Sequence, residues 1–159
     1  MTAPLSDTIA WSATAIALDG RALLIEGAPG SGKSSLALAL IDRGARLVGD
    51  DAVILVATDG VLRASAHPNV AGLIEMRNVG LIAMPTVADV PVALVIRLDP
   101  AAPRYVEQAE RTVRASIDLP LVRLWPDSPV LALRAEMALS RHGLGRGASN
   151  PDPCGAEQG

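Results

Sequence analysis

Nine consecutive residues, Gly27-Ala28-Pro29-Gly30-Ser31-Gly32-Lys33-Ser34-Ser35, carry the first chemistry in this chain. The first eight fit the pattern G-x-x-x-x-G-K-[ST], in which glycines let backbone N–H groups curl around a polyphosphate. A helix opening at Lys33 would add its N-terminal dipole, the ammonium would reach the outer phosphates, and the Ser34 hydroxyl would be free to ligate Mg²⁺. Lys33 is also the only lysine in the protein, against 13 arginines. An arginine fork is too wide for the point-charge slot inside such a loop, so the compositional oddity falls where lysine has no substitute. The expected ligand is a nucleoside triphosphate or another polyphosphate. A second constellation, Gly49-Asp50-Asp51, follows Lys33 by 17 and 18 residues at its two carboxylates. At the end of a strand on the edge shared with the phosphate loop, at least one of them reaches the metal or the attacking group.

These residues need a frame. Thr8 to Leu18 mixes β-branched and small apolar residues, Asp19-Gly20 supplies a turn, and Ala22 to Glu26 returns, which reads as a β-hairpin. Lys33 to Asp42 has Leu36, Leu40 and Ile41 on one face and Gly44 placed as a helix C′ residue after Arg43. Arg46 to Val48, Val53 to Val56 and Val61 to Ala64 read as short strands, the last two joined by Asp59-Gly60. Leu73 to Met76 and Gly80 to Met84 follow, and the apolar run Pro91 to Leu98 reads as a buried central strand. Tyr105 to Ser116, polar with spaced alanines, predicts a helix; Leu121 to Leu124 predicts a last strand and Val130 to Arg141 a final amphipathic helix. Apolar faces such as Leu131/Ala135/Ala138/Leu139 read as core or subunit contact. The expected whole is an α/β domain over residues 1–141, with a mixed sheet flanked by helices, and a disordered tail over residues 142–159.

Composition excludes several classes. The 159 residues carry a net charge of -3 and only three aromatics, Trp11, Tyr105 and Trp125. That leaves no basic face for a nucleic-acid backbone and no stacking platform for bases. The longest apolar runs are six residues, far below the roughly 20 that span a bilayer. The N-terminus lacks a basic and apolar leader, so the expected compartment is the cytoplasm. Cys154 reads as an inert thiol, and His67 and His142 read as loop and helix-end residues. No His/Cys/carboxylate cluster has metal-ligand spacing, which leaves Mg²⁺ carried by the nucleotide as the expected metal.

The phosphate loop, its helix and Arg43-Gly44-Ala45-Arg46-Leu47-Val48-Gly49-Asp50-Asp51 resemble the P-loop and R-G-x-R-L-V-x-D-D segment of the HPr kinase/phosphorylase catalytic domain. Leu73-Ile74-Glu75-Met76-Arg77-Asn78-Val79-Gly80-Leu81-Ile82 resembles that family's I-E-x-R-G-x-G-I-I segment. The resemblance covers roughly Thr8 to Leu139 and is nearest the short form found in alphaproteobacteria, which lacks an extra N-terminal domain. It implies a P-loop fold of the HPr kinase C-terminal-domain type and an ATP- and Mg²⁺-dependent serine kinase of the phosphocarrier HPr or an HPr-like carrier. Lys33 would hold the transferred phosphate, Ser34 and Glu75 would place Mg²⁺, and Asp51 would take the seryl proton. The same carboxylate would return it in the reverse phosphorolysis. Asp50 would support the metal or orient Asp51, Arg77 would neutralise transition-state charge, and Arg104 matches a further family arginine, with Arg111 as the other candidate. The implied assembly is a hexamer.

The chain departs from the family pattern at Ser12, where a histidine is usual, and at Asn78, where glycine is usual. Asn is the residue that best tolerates the left-handed backbone glycine would supply. The proline–glycine–arginine stretch associated with the reverse activity is not recognisable, which favours kinase over phosphorylase. Two alternatives stay open: a nucleotide-binding regulatory module that has lost catalysis, and a kinase of a serine on another small protein or peptide.

Overall fold

The structure, a computed structural model, describes residues 7–70 and 72–145. The described chain forms eleven strands, β1 (Asp7–Trp11), β2 (Thr14–Leu18), β3 (Arg21–Gly27), β4 (Arg46–Gly49), β5 (Val53–Thr58), β6 (Val61–Ala66), β7 (Leu73–Met76), β8 (Gly80–Ala83), β9 (Val90–Leu98), β10 (Glu110–Arg114) and β11 (Ile117–Leu124). Two helices, α1 (Lys33–Asp42) and α2 (Leu131–His142), and a single 3₁₀ turn complete it. It is the mixed α/β fold the sequence predicts.

The centre is β3 beside β9, parallel to each other because each ends at the same edge. β3 is buried along almost its whole length, as its unbroken Ala22-Leu23-Leu24-Ile25 run requires. Outward on one side lie β2 and then β4, each antiparallel to its neighbour. β4 therefore runs with β3, and Gly49 at its end comes to the edge where β3 ends at Gly27. On the other side β11 runs parallel to β9 and carries antiparallel β10. The start of β9 also pairs with β6, which continues through β5 to β1.

The strands thus bury two faces. Ile16, Leu23, Ile25 and Ile96 meet Leu36, Leu40, Ala135 and Leu139 of the helices. Leu24, Val95, Leu119 and Leu121 meet Val53, Leu55 and Leu62 of the β1-β5-β6 layer. Helix α1 ends as its sequence predicts: Gly44 (φ +114) follows Arg43, its N–H donates to Ile41 O at 3.0 Å, and Ala45 N–H donates to Leu40 O at 3.0 Å. Arg43 then makes a bidentate pair with Glu136 at 2.8 Å on both contacts, tying α1 to α2.

Two expectations change. Thr8 to Leu18 is not one arm: it breaks at Ser12-Ala13, so that β1 joins the second layer while β2 stays central. Tyr105 to Ser116 is not a helix. Residues 105–109 are irregular, and Glu110–Arg114 pairs with Ile117–Leu121 across a two-residue turn at Ala115 (φ +48) and Ser116 (φ +71). After α2, Leu144 N–H donates to Ala93 O at 3.0 Å and its side chain packs on both cores. Residues 146–159 of the expected tail, with Cys154, lie outside the described residues.

Candidate functional site

The glycine-rich segment joins the end of β3 to the start of α1. It closes tightly on itself: a Cβ at Gly27 would stand 2.5 Å from Ser31 Oγ and 3.3 Å from Leu98 Cβ. Gly32 sits at φ +102 immediately before the helix, a conformation that side chains resist. No side chain caps the N-terminus of α1 and no acid occupies its first turn, so its free N–H groups and positive dipole end face outward. Lys33 Nζ folds back over the loop, 3.2 Å from both Gly27 O and Ala28 O. Ser31 Oγ is buried with no hydrogen-bond partner. This is the donor set an anion would satisfy.

The two aspartates divide by burial. Asp50 is only 7% exposed and acts as a hub. Its Oδ1 accepts the hydroxyls of Ser34 at 2.7 Å and Thr14 at 2.9 Å, and its Oδ2 accepts the Glu75 N–H at 3.3 Å. Asp51 is exposed, with φ +71, and Ala52 N–H donates to Asp50 O at 2.8 Å, closing a three-residue turn around it. Turns of that hand are rare. Holding a side-chain-bearing residue there costs about 1–3 kcal/mol, and such strain gathers at functional positions.

A cavity of ≈ 190 Å³ lies over the helix N-terminus. Lys33, Ser34 and Ser35 of α1, Pro29, Gly30 and Gly32 of the loop before it, and Asp51, Glu75 and Arg77 line it. The Arg77 guanidinium comes within 4.0 Å of the position a Cβ on Gly30 would take. Glu75 and Arg77 are placed by the β7–β8 hairpin, whose turn carries Asn78 at φ +69, the left-handed conformation expected of that substitution. The volume is below the roughly 300–1,000 Å³ of drug-sized pockets, and suits a phosphate chain with its cation. Two cationic side chains and two exposed carboxylates share it. The Ser34 hydroxyl and the Glu75 carboxylate are the hard oxygen donors Mg²⁺ prefers.

Of the residues the sequence points to, Asp51, Lys33, Ser34, Glu75 and Arg77 therefore converge, with Asp50 behind them. Arg104 does not join them. It lies in the loop after β9 and lines a separate cavity of ≈ 600 Å³ beside Tyr105, Trp125 and α2. Arg111 pairs with Asp118 at 2.9 Å on the β10–β11 hairpin. Ser12 is exposed at the corner between β1 and β2, and His67 accepts the Asn69 N–H at its own turn. Among the described residues no three His, Cys, Asp or Glu side chains gather into a metal-binding group, and no helix is long and apolar enough to cross a membrane.

Two features escape sequence reasoning. Thr14 is a fully buried hydroxyl at the head of an apolar strand. Glu26, immediately before Gly27, is 5% exposed and holds Arg114 at 2.7 Å, Arg97 at 2.6 Å and the Trp11 indole N–H at 2.9 Å. A charge closing a buried strand was the available signal, since such a group is not buried without partners.

The chain is 48% identical over 66 residues to the HPr kinase/phosphorylase of Clostridium novyi, covering 42% of this chain and 22% of that protein. It is 41% identical over 81 residues to that of Exiguobacterium sibiricum, covering 50% and 26%. The matched segments thus span about a quarter of these relatives' length. The solved Hpr(Ser) kinase/phosphatase of Coxiella burnetii superposes with a TM-score of 0.74 at 27% identity, over 83% of this chain and 94% of that one. The family model of the HPr serine kinase C-terminal domain matches residues 3–97, more than half of the 159, and the chain belongs to that family.

Proposed function

We propose that this cleft transfers the terminal phosphoryl group of ATP to a seryl hydroxyl of HPr or an HPr-like phosphocarrier in the cytoplasm. The observation that carries the reading is the convergence of Lys33, Ser34, Asp51, Glu75 and Arg77 on one small cavity at an uncapped helix N-terminus. The loop N–H groups, Ser31 Oγ and Lys33 hold the phosphates. Ser34 and Glu75 would hold Mg²⁺, which would neutralise charge on the phosphate oxygens. Asp51, exposed on the cavity wall, accepts the seryl proton as the seryl oxygen bonds to phosphorus and the bond to the ADP oxygen breaks. In the reverse direction an oxygen of inorganic phosphate bonds to the phosphoserine phosphorus, the bond from phosphorus to the seryl oxygen breaks, pyrophosphate leaves, and the protonated Asp51 returns its proton to the seryl oxygen. Arg77 faces the charge that develops on the transferred group. Asp50, behind the lining residues, aims the Ser34 hydroxyl and anchors the Asp51 turn.

The test is transfer of labelled γ-phosphate to a carrier serine, with and without Mg²⁺. A positioned general base contributes roughly 10²–10⁴-fold, so Asp51→Asn is expected to lower kcat at least about 100-fold with nucleotide affinity retained. Absence of transfer to every carrier offered would refute the assignment. Ser12 in place of the family histidine favours one second reading, a nucleotide-binding regulatory module, under which Asp51→Asn is silent. Apolar side chains exposed on β7–β8 (Leu81, 68%) and α2 (Met137, 59%) support a homo-oligomer such as the family hexamer.

A further inference from the structure

Thr14 belongs to none of the roles above, yet it stands where three parts of the cleft meet. Thr14 is fully buried, and its hydroxyl donates to the Asp50 carboxylate at 2.9 Å. An ionised carboxylate only accepts, so the hydroxyl hydrogens of Thr14 and Ser34 are both committed to Asp50 Oδ1. That direction leaves the lone pairs of each hydroxyl turned away from Asp50. Those of Ser34 are left for the cavity; those of Thr14 face the Asp51 N–H, whose nitrogen lies 3.5 Å away. One hydroxyl therefore clamps the side chain of Asp50 and the backbone of Asp51 together. Between those two points runs the turn with φ +71, which carries the Asp51 carboxylate to the cavity wall.

We propose that Thr14 is a positioning residue of this cleft: it fixes the Asp50 hub and holds the strained Asp51 turn in the conformation that presents the proton-accepting carboxylate. The proposal rests on the reading of Asp51 as that acceptor. Thr14 itself touches neither phosphate nor cation. Valine at this position keeps the shape and removes the clamp, whereas serine keeps the hydroxyl and loses only a methyl group.

The experiment compares wild type, Thr14→Val and Thr14→Ser as full chains, by steady-state phosphotransfer and by amide hydrogen exchange at Asp51 and Ala52. Misplacing a reacting group by about 1 Å costs on the order of 100-fold, so Thr14→Val is expected to lose about 10–100-fold in kcat with KM for ATP changed less than about two-fold. Exchange at Ala52, whose N–H closes the turn, is expected to quicken in Thr14→Val and to remain at the wild-type rate in Thr14→Ser, which also recovers kcat. Equal losses in the two variants would assign the residue to packing and overturn the proposal, as would an unchanged kcat and unchanged exchange in Thr14→Val. Should Thr14→Val fail to fold, Thr14→Cys, with its weak S–H donor, gives the same comparison. If wild type phosphorylates no serine, the functional assignment fails, while the exchange rates still decide whether Thr14 holds the turn.

Discussion

Glu26 is the residue whose replacement should most damage this protein without touching the cavity at the N-terminus of α1. Its two oxygens receive four contacts: Arg114 Nε at 3.0 Å and Nη2 at 2.7 Å, Arg97 Nη2 at 2.6 Å and Trp11 Nε1 at 2.9 Å. Arg114 is 8% exposed and also lies 4.8 Å above the Trp11 ring centroid. Replacing Arg114 by methionine removes two charge-assisted bonds to Glu26, each worth about 1.5–3 kcal/mol, a cation–π contact worth about 0.5–2 kcal/mol, and the local Nη1 bonds to Thr112 Oγ1 at 2.6 Å and Val113 O at 2.8 Å. Arg97 and Trp11 still serve one oxygen each, so the lower end applies and the expected loss is about 3 kcal/mol. Replacing Glu26 by glutamine strands Arg114 without a carboxylate, and losses of about 3–5 kcal/mol are typical of breaking a buried pair from one side. Domains are stable by only about 5–15 kcal/mol, and at this length about 3 kcal/mol corresponds to roughly 6–12 °C in Tm.

The assay is urea unfolding followed by circular dichroism, because Trp11 fluorescence reports on the cluster itself. The expected order of loss is Glu26→Gln, then Arg114→Met, then Trp11→Phe at about 1.5 kcal/mol for one hydrogen bond to a carboxylate. Glu26→Leu combined with Arg114→Met should lose less than the sum of the single changes, since Arg97, 38% exposed at its side chain, returns to water. Raising NaCl to 0.5 M should leave these differences in place, because buried charges are weakly screened. An Arg114→Met loss below about 1 kcal/mol, or a loss that salt erases, would refute the view that this cluster locks β10 and β1 onto the end of β3.

Further outcomes follow from the cleft and the surface. Lys33→Arg is expected to reduce ATP affinity at least about 100-fold by isothermal titration, since the wide guanidinium does not fit against two carbonyls at 3.2 Å. Ser12→His is expected to raise the phosphotransfer rate with nucleotide affinity unchanged; equal rates would show that this chain works without the imidazole. The Ala101 N–H, then Arg123, holds the Asp99 carboxyl below the usual carboxylate range, and Arg43 does the same for Glu136. Both folded values are depressed, so their stabilisation is complete above the unfolded values near about 4 and is lost as pH falls through the folded ones. The urea midpoint should therefore drop between pH 5 and pH 3 less steeply in Asp99→Asn and Glu136→Gln than in wild type.

What the sequence made legible has common physical causes. Asp19-Gly20 and Asp59-Gly60 are residue types that accept positive φ, and all four adopt it, so both hairpins were readable. The β10–β11 hairpin turns on Ala115-Ser116, which lack that signature, and its strand Glu110–Arg114 has the alanine-flanked polarity of a surface helix. Tertiary contacts decided it. Ladder pairing places Arg114 against Glu26, 88 residues away, and Leu119 and Leu121 in the second core. A local pattern cannot carry that information. Arg104 illustrates the same limit, because spacing along the chain placed it between two strands but not on which side of β11 its loop would lie.

Asp50 and Asp51 were adjacent and chemically identical in the sequence, and the structure separates them by one backbone rotation. That rotation dictates how the proposed proton acceptor should be tested. Alanine at position 51 would remove the carboxylate and also force φ +71 on a residue that resists it, at about 1–2 kcal/mol, so a loss of rate would have two causes. Asparagine tolerates the left-handed region nearly as well as aspartate and keeps the side-chain shape, removing only the negative charge and the capacity to take a proton. Asp51→Asn should therefore unfold at the wild-type urea midpoint and bind nucleotide while failing to transfer phosphate, whereas Asp51→Ala should lose stability as well. Equal stability of the two variants would mean that the turn at Asp51 relaxes freely, and the division of labour between the two aspartates would then rest on burial alone.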